Sequence, residues 1–368
     1  MENNIENNNV DEIKVKKGFS GKILYPIGNY YKNLYKTKGM KQVLTVIGGL
    51  IVLIIVFWAI NPRFLSAGQV RTMVRDVGPF LLVGIGQAFV LITGNIDLSI
   101  GSVLAMGYMI IAILIQSGVP WFIAIPITLI CCLIIGVING QLVARFKLPP
   151  FIATLGTMFF ARGIAWIFTE GRPTGPIGLG VEHPFRQIFW WGDVLGISFV
   201  LIIALVVWFI FNFMLSRARI GRHIYAVGSN REAAKLSGVN TISTITKAYM
   251  VSAFCAALVG IMFCAQTGSG SPTSGQSYEM FGVAVSVIGG VSTLGGQGLL
   301  LGTIVGAALW VVLESGLVAV SLGESYKLMV IGIVVVVAVL LDIILRKGIK
   351  RKKKTVKAEE VQKDKKEN

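Results

Sequence analysis

The chain has 368 residues, of which 54% are hydrophobic and only 14% are charged. A soluble domain is normally about one-quarter charged, so this composition excludes an ordinary soluble protein and indicates many membrane-spanning segments. The formal net charge of +16 does not indicate nucleic-acid binding, because the basic residues cluster at the chain ends and in two internal loops, the distribution that orients membrane proteins.

Apolar runs recur along the whole chain and predict an all-α, polytopic membrane protein of about ten transmembrane helices. Polar, glycine-rich or proline-containing breaks separate the runs and mark the ends of the helices. The expected spans are 43–60, 70–93, 100–116, 120–143, 151–168, 195–215, 244–266, 279–292, 299–320 and 327–345.

The chain is therefore expected to hold one transmembrane domain, residues 43–345, between two polar ends. The N-terminal segment, 1–42, is expected in the cytoplasm or at the membrane interface. The basic tail, 346–368, is expected to be cytoplasmic and disordered. With ten spans both termini and the basic clusters fall on one side, which the positive-inside rule makes cytoplasmic.

A basic loop at 216–247 contains the sequence NREAAKLSG, which begins at Asn230. Asn230 can cap the start of a helix. The carboxylate of Glu232 in the first turn would interact favourably with the positive end of the helix dipole, and Gly238 can end the helix in a left-handed conformation. Two small side chains would let a partner approach closely; they belong to Ala233 and Ala234. The pattern predicts a short cytoplasmic helix, either an ordinary amphipathic linker or a helix that docks on another protein.

A second motif, ITGNIDLSIGS, occupies residues 92–102. Gly94 is expected to break the preceding helix, and Asp97 or Ser99 can cap the next one. Asp97 is expected near the membrane boundary, where a carboxylate costs less than at the bilayer centre. The motif is consistent with a helix cap, and also with part of a gate or with a contact to a partner on the cytoplasmic side.

The third motif, KLPPFIATLGTMFFARG, covers residues 147–163, and its two prolines favour the start of a helix. Thr154, Thr157 and Arg162 fall roughly on one face of that helix. A guanidinium inside a span is costly unless it faces water or a partner. Arg162 is therefore expected to line a cavity or to bind carbonyl groups within the bundle, so both a structural and a pathway role remain open.

The fourth motif is a glycine-rich stretch between residues 268 and 298, ending in VIGGVSTLGGQG. It lacks the Gly-Lys-Ser/Thr of a phosphate-binding loop and follows no soluble strand, so nucleotide binding is excluded. Small residues of this kind favour close helix packing or a broken helix in the membrane.

The four motifs, in this order, resemble those of the simple-sugar permeases of ABC transporters, of the ribose, xylose and galactoside type. The resemblance covers roughly residues 65–345. The chain departs from the family's Gly-Gly-Ile-Asp-Leu-Ser-Val-Gly-Ser pattern at Asn95, where glycine is usual. It also departs after Tyr278-Glu279, where Leu-Asp-Ala-Ile is usual and Met280-Phe281-Gly282 follow.

The resemblance implies the transmembrane subunit of an ATP-driven importer, which translocates a monosaccharide delivered by a periplasmic or lipoprotein binding protein. A ribose-like sugar is the first expectation, with galactosides or xylose next. The implied partners are a cytoplasmic ABC ATPase subunit, a second permease copy in a homodimer, and membrane lipid. The chain is expected to be multi-pass in the cell inner membrane, to be no enzyme and to bind no cofactor, since the partner subunit hydrolyses the ATP.

The resemblance also implies roles for particular residues. Those matching the ATPase-coupling loop are Arg222, Asn230, Glu232, Ala233, Ala234 and Gly238. Polar residues in the other motifs and spans become candidates for the translocation pathway or its gate, and they are Gln87, Asn95, Asp97, Ser99, Thr154, Thr157, Arg162, Glu279, Ser292 and Thr293.

Other functions stay open at this point. ABC permeases for nucleosides or another small polar solute share the broader architecture. An ion-coupled secondary transporter is less favoured, because such proteins usually place acids mid-membrane and here Glu314 and Asp342 are the main acids in the spans. A membrane enzyme is disfavoured because no catalytic motif or metal-ligand spacing occurs.

Overall fold

The computed structural model describes residues 38–320, and also 323, 325, 326, 329, 330, 332–334, 336, 337 and 340. These residues are mostly helical. The main helices between residues 38 and 320, including two in the 216–247 loop, are α1 (Lys38–Ile60), α2 (Ala67–Ile92), α3 (Ile100–Gln116), α4 (Trp121–Ala144), α5 (Pro150–Ile167), α6 (Phe199–Arg217), α7 (Arg219–Ser229), α8 (Arg231–Leu236), α9 (Thr241–Thr267), α10 (Tyr278–Ile288) and α11 (Leu301–Ala319).

Short elements fill the connections between these helices. A 3₁₀ turn, Pro62–Leu65, links α1 to α2. A helical turn at Pro184–Arg186, a π turn at Gln187–Trp191 and an antiparallel pair of two-residue strands, β1 (Asp193–Val194) and β2 (Ile197–Ser198), lie between α5 and α6.

Seven of the described helices are long and apolar enough to cross a membrane: α1, α2, α4, α5, α6, α9 and α11. They confirm an all-α membrane fold. The apolar helices α3 and α10 have 17 and 11 residues, and at 1.5 Å per residue they are about 25 and 16 Å long, shorter than the ~30 Å hydrocarbon core. The tenth expected span, 327–345, falls largely outside the described residues, as do the segments 1–42 and 346–368, so the count of ten stays a prediction.

The two central helices are α2 and α9, each with 83% of its apolar window buried, whereas α1, α4, α5 and α6 have between 11% and 28% buried. Small residues let the helix backbones approach closely. A Cβ on Gly260 of α9 would lie 2.5 Å from the carbonyl oxygen of Leu104, and one on Gly140 of α4 would lie 2.8 Å from the Cβ of Thr246. Only glycine therefore permits these helix pairs to pack as they do.

Two non-helical segments lie against the interior of the bundle. The first connecting segment, residues 93–99, follows α2, and the second connecting segment, residues 268–277, precedes α10. They approach each other where α3 begins, because a Cβ on Gly101 would overlap the carbonyl oxygen of Gly275. Irregular backbone inside a membrane is tolerated when protein surrounds it, and most residues of both segments are buried or half-buried, with Gly94, Thr273 and Gln276 exposed.

Contacts between distant residues define two ends of the bundle. At the α7–α8 end, the side chain of Arg231 donates to the carbonyl oxygen of Ala144 at 2.9 Å, and the amide of Gly296 donates to the carbonyl oxygen of Ile92 at 2.8 Å. At the opposite end, the amide of Thr174 donates to the carbonyl oxygen of Gly270 at 2.8 Å. Each end of the bundle is therefore held together by its own hydrogen bonds.

Candidate functional site

A buried network of hydrogen bonds surrounds Asp97 in the first connecting segment. Its Oδ1 accepts bonds from the amide and the hydroxyl of Ser99 at 2.8 and 2.6 Å, and its Oδ2 accepts one from the Ser252 hydroxyl of α9 at 2.7 Å. Asp97 is 2% exposed. A buried carboxylate is tolerated only when hydrogen bonds replace its hydration, and these three bonds do so.

The network continues across two more helices. The amide of Asn139 in α4 donates to the Ser99 hydroxyl at 2.8 Å, and the Thr157 hydroxyl of α5 donates to the amide oxygen of Asn139 at 2.6 Å. On the other side, the side chain of Gln87 in α2 donates to the backbone carbonyl of Asp97. The network therefore ties α2, α4, α5 and α9 to one non-helical segment.

The structure corrects one expectation about this motif. The first connecting segment turns inward and brings Asp97 against Ser252, the twelfth residue of α9. Neither Asp97 nor Ser99 caps α3 with its side chain, since Ser99 occupies the N-cap position without a capping bond. The physical reason is the same for both: the side chains bond across the bundle instead.

Arg162 of α5 binds carbonyl groups, one of the two arrangements expected for it. Its Nη1 donates to the carbonyl oxygens of Pro272 and Ser274 at 2.8 and 2.7 Å, and its Nε donates to the Ser102 hydroxyl at 3.2 Å. The guanidinium thus replaces its hydration with backbone carbonyls. It fixes the second connecting segment against α3 and α5.

The other pathway candidates divide between these two regions and the α7–α8 end. Thr154 is fully buried one turn before Thr157 and bonds to the carbonyl oxygen of Pro150 at 2.8 Å. Glu279 lies in the first turn of α10 beside Gly101. Three candidates lie outside the Asp97 network, at the α7–α8 end: Asn95, Ser292 and Thr293. The side chain of Asn95 bonds only to nearby Thr93, and the Ser292 hydroxyl accepts a bond from the amide of Leu294.

The 216–247 loop folds as two short helices, whereas the sequence predicted one. Asn230 caps α8, accepting a bond from the amide of Ala233 at 3.0 Å, and Gly238 follows the helix with φ +81°. Both local expectations are confirmed. The additional helix, α7, precedes Asn230 and buries Ile224 and Val227 against the bundle.

α7 and α8 together dock against the ends of α2 and α4. Close packing at Gly228 makes this possible, because a Cβ there would lie 2.6 Å from the amide nitrogen of Gly296. Tyr225 adds a bond from its hydroxyl to the carbonyl oxygen of Gly298 at 2.7 Å. Of the two alanines, Ala233 is exposed while Ala234 is 5% exposed and packs on the chain's own core.

The outer surface of α8 is open to a partner. Glu232 and Ala233 are exposed, and Leu236 is 88% exposed at its end. Arg222 in α7 is also exposed and bonds to the carbonyl oxygen of Arg217 at 3.2 Å. An apolar side chain at the tip of a basic loop is a surface that another protein can cover.

Sequence reasoning missed two groups of residues. The first is Asn139 and Ser252, which complete the Asp97 network but stand as single polar residues in apolar runs. The second is Asp76 and Glu314, which line a cavity of about 340 Å³ at the opposite end of the bundle. A polar residue in a span is the signal that points to both groups. Among the described residues, no cluster of three or more potential metal ligands occurs.

Polar residues enclosed by a bundle of apolar helices, as in the Asp97 network, are typical of membrane proteins that act on polar solutes or ions. Residues 70–339 match the family described as branched-chain amino acid transport system, permease component, and the chain belongs to this family. No solved structure matches the chain significantly.

Named relatives are similar over most of their length. The ribose import permease protein RbsC of Bacillus subtilis is 37% identical over 304 residues, 83% of this chain and 94% of the relative. That of Haemophilus influenzae is 36% identical over 293 residues, 80% and 90%. The D-allose transport system permease protein AlsC of Escherichia coli is 32% identical over 300 residues, 81% and 90%. All three are transport permeases, so this chain is a multi-pass membrane permease and not an enzyme.

Proposed function

We propose that this chain is the transmembrane subunit of an ABC importer in the cell inner membrane and that it translocates a neutral monosaccharide, with ribose as the first substrate to test. The observation that carries the proposal is the similarity to permeases named for ribose and D-allose over at least 80% of this chain. The binding protein delivers the sugar, and a separate ATPase drives its passage.

The α7–α8 pair is the coupling element in this proposal. Its exposed side, with Glu232, Ala233 and Leu236, offers a compact surface to the ATPase. Its buried side is held to α2 by the close approach at Gly228 and to α4 by the bond from the Arg231 side chain to the carbonyl oxygen of Ala144. Because interior packing is dense, a displacement of α8 is transmitted to these helices instead of being absorbed. The helix α2 then leads directly into the first connecting segment.

The Asp97 network is the gate in this proposal. It joins α2 to α4, α5 and α9 through bonds that a small shift of the first connecting segment would break and re-form. Such hydrogen-bond networks have discrete arrangements, which suits an element that must be either open or closed. Arg162 holds the second connecting segment against α3, and this segment meets the start of α3 at Gly101, directly after the first connecting segment, so both segments border the proposed passage.

The distribution of basic residues supports a cytoplasmic α7–α8 end. Eight arginines and lysines lie at or near that end: Arg145, Lys147, Arg217, Arg219, Arg222, Arg231, Lys235 and Lys247. Fewer lie at or near the opposite end, where Arg63, Arg71, Arg75, Arg172 and Arg186 are found. By the positive-inside rule the opposite end, with the 169–193 loop, faces the binding protein.

An exposed face of α5 supports a homodimer. Gly156 and Gly163, seven residues apart, have no heavy atom within 4 Å of an added Cβ. Phe159 and Phe160, beside them, are 65% and 59% exposed. Small residues on an exposed span are typical of helix–helix contacts in membranes, and a second copy can pack there.

The test is sugar uptake in proteoliposomes that contain this chain, its ATPase and its binding protein. We expect ATP-dependent uptake by the wild type and at least a tenfold loss in Gly238→Asp and Glu232→Arg, with assembly of the membrane subunit retained. Gly238→Asn and Glu232→Gln are the matched controls, because asparagine has the shape of aspartate without its charge, and glutamine keeps the shape of glutamate without introducing a positive charge. Both controls should retain most of the uptake.

Two results would overturn the proposal. Uptake that persists without the ATPase would indicate an ion-coupled carrier. ATP-dependent uptake of nucleosides or amino acids, with no uptake of ribose, xylose or galactose, would leave the ABC permease class intact and reject the sugar as substrate.

A further inference from the structure

A cavity of about 340 Å³ lies at the opposite end of the bundle from α7–α8, between α2, α9, α10 and α11. This volume is within the range of small-molecule sites. We propose that this cavity is a weak binding site for one neutral monosaccharide inside a single permease subunit, a role that rests on the proposed import function. The site would receive the sugar after its release from the binding protein.

Aromatic side chains form one side of the cavity. Tyr278 stacks on Phe80 with ring centroids 5.5 Å apart and an angle of 8° between the planes. Phe263 meets Tyr278 edge-on at 5.8 Å, and Trp190 meets Phe263 edge-on at 6.2 Å. These contacts hold the rings in fixed orientations. A sugar ring has an apolar face of C–H groups, and aromatic rings of fixed orientation match such a face.

Polar side chains line the rest of the cavity. They are Gln69, Thr72 and Asp76 from α2, Gln266 from α9, and Glu314 and Ser315 from α11. Carboxylates accept strong hydrogen bonds from hydroxyl groups, while amides and hydroxyls both donate and accept. A ligand with hydroxyl groups around its ring can therefore bond to α2, α9 and α11 together.

The charges of the lining select against anionic groups. Asp76 and Glu314 both line the cavity, and no arginine, lysine or histidine is among its lining residues. A sugar phosphate would meet two like charges with no cation in the lining to offset them, since Arg75 neighbours Asp76 but does not line the cavity. The family description names branched-chain amino acids; their ammonium group could pair with Asp76 or Glu314, but their carboxylate would have no cationic partner in the lining, whereas a neutral polyol needs none.

The position of the cavity suits an entry site. Asp76 lies three turns before Gln87 on α2, and Tyr278 directly follows the second connecting segment. The cavity is therefore joined by short stretches of chain to both regions proposed to border the passage. A weak site at this point raises the local sugar concentration without competing with the binding protein.

The experiment is saturation-transfer NMR with D-ribose on the purified full chain in lipid nanodiscs, without ATPase or binding protein. We expect saturable binding with a dissociation constant on the order of 1 mM or weaker, and no saturable signal from L-valine. Asp76→Asn and Glu314→Gln should each weaken D-ribose binding about tenfold, because a charge-assisted acceptor is replaced by a neutral one. Thr72→Leu, at an exposed position of the lining, should block binding by filling the space.

Asp193→Asn is the matched control, because this exposed carboxylate in β1 is not part of the lining, and it should bind like the wild type. The absence of saturable D-ribose binding to the wild type would overturn the inference, as would unchanged binding in all three lining variants or binding of L-valine instead. If the assembled transporter imports ribose and the isolated chain binds none, the cavity inference alone fails. If the chain binds ribose and the assembled transporter imports none, the proposed function fails.

Discussion

Replacing Gly228 by alanine gives a sharp test of how α7 is held against the bundle. Helix propensity alone predicts a gain of about 1 kcal/mol, since alanine favours helices more than glycine does. In the structure, however, the added methyl group would lie 2.6 Å from the amide nitrogen of Gly296 and nearer still to the carbonyl oxygen of Ile92. Both neighbours are backbone atoms, so α7 must retreat by on the order of 1 Å to restore ordinary contact.

That retreat has two costs. Overpacking of this kind destabilises by about 1–3 kcal/mol, and loss of the bond from the Gly296 amide to the Ile92 carbonyl, 2.8 Å long, adds about 1 kcal/mol. The clash outweighs the gain in helix propensity. We therefore expect Gly228→Ala to lower the free energy of unfolding by about 1–3 kcal/mol and to uncouple ATP hydrolysis from sugar uptake.

The assay combines thermal unfolding in detergent with ATP-driven uptake in proteoliposomes. Gly48→Ala is the control, because Gly48 lies inside α1 with no heavy atom within 4 Å of an added Cβ. This control should be neutral or slightly stabilising and should leave uptake unchanged. Wild-type stability and uptake in Gly228→Ala would refute the reasoning, since they would mean that α7 can shift without consequence for the helices beneath it.

Two further variants test the regions that border the proposed passage. Ser252→Ala removes one of the donors to the Asp97 carboxylate. It should lower the free energy of unfolding, measured by thermal unfolding, by about 1–3 kcal/mol. The control Ser66→Ala, at an exposed position, should change this free energy by less than about 0.5 kcal/mol. Equal effects would contradict a buried network. Arg162→Lys keeps the positive charge but loses the planar guanidinium that bonds to two carbonyl oxygens. Amide hydrogen exchange in the second connecting segment should therefore accelerate about tenfold, whereas the control Arg172→Lys, at an exposed position, should leave it unchanged. Unchanged slow exchange in both variants would show that the bonds from Arg162 are dispensable.

Local signals in the sequence were reliable where the physics is local. Asn230 caps α8 and Gly238 adopts a left-handed conformation, because a helix cap and a glycine turn depend on a few neighbouring residues. The apolar runs likewise located the described helices of the bundle. The helix α7 was missed, although its apolar residues Ile220, Ile224 and Val227 recur at the spacing of an amphipathic helix.

Long-range contacts were beyond the reach of the motifs. Ser252 is 155 residues from Asp97, and Asn139 is 40 residues from Ser99. Each is a single polar residue in an apolar run, and nothing in its local sequence selects its partner. The burial of Asp97 was not predicted for the same reason, because the inward turn of the first connecting segment depends on the helices that pack around it.

The sequence by itself determined that this protein is a helical membrane protein, with a basic loop whose second part is a capped short helix. Composition, apolar run length and turn chemistry are properties of short stretches of chain, so they can be read directly. Only the tertiary structure decided that Asp97 joins four helices, that Arg162 holds a connecting segment, and that Asp76 and Glu314 line one cavity with aromatic rings. These arrangements depend on which helices pack together, and packing is settled by shape and volume across the whole bundle.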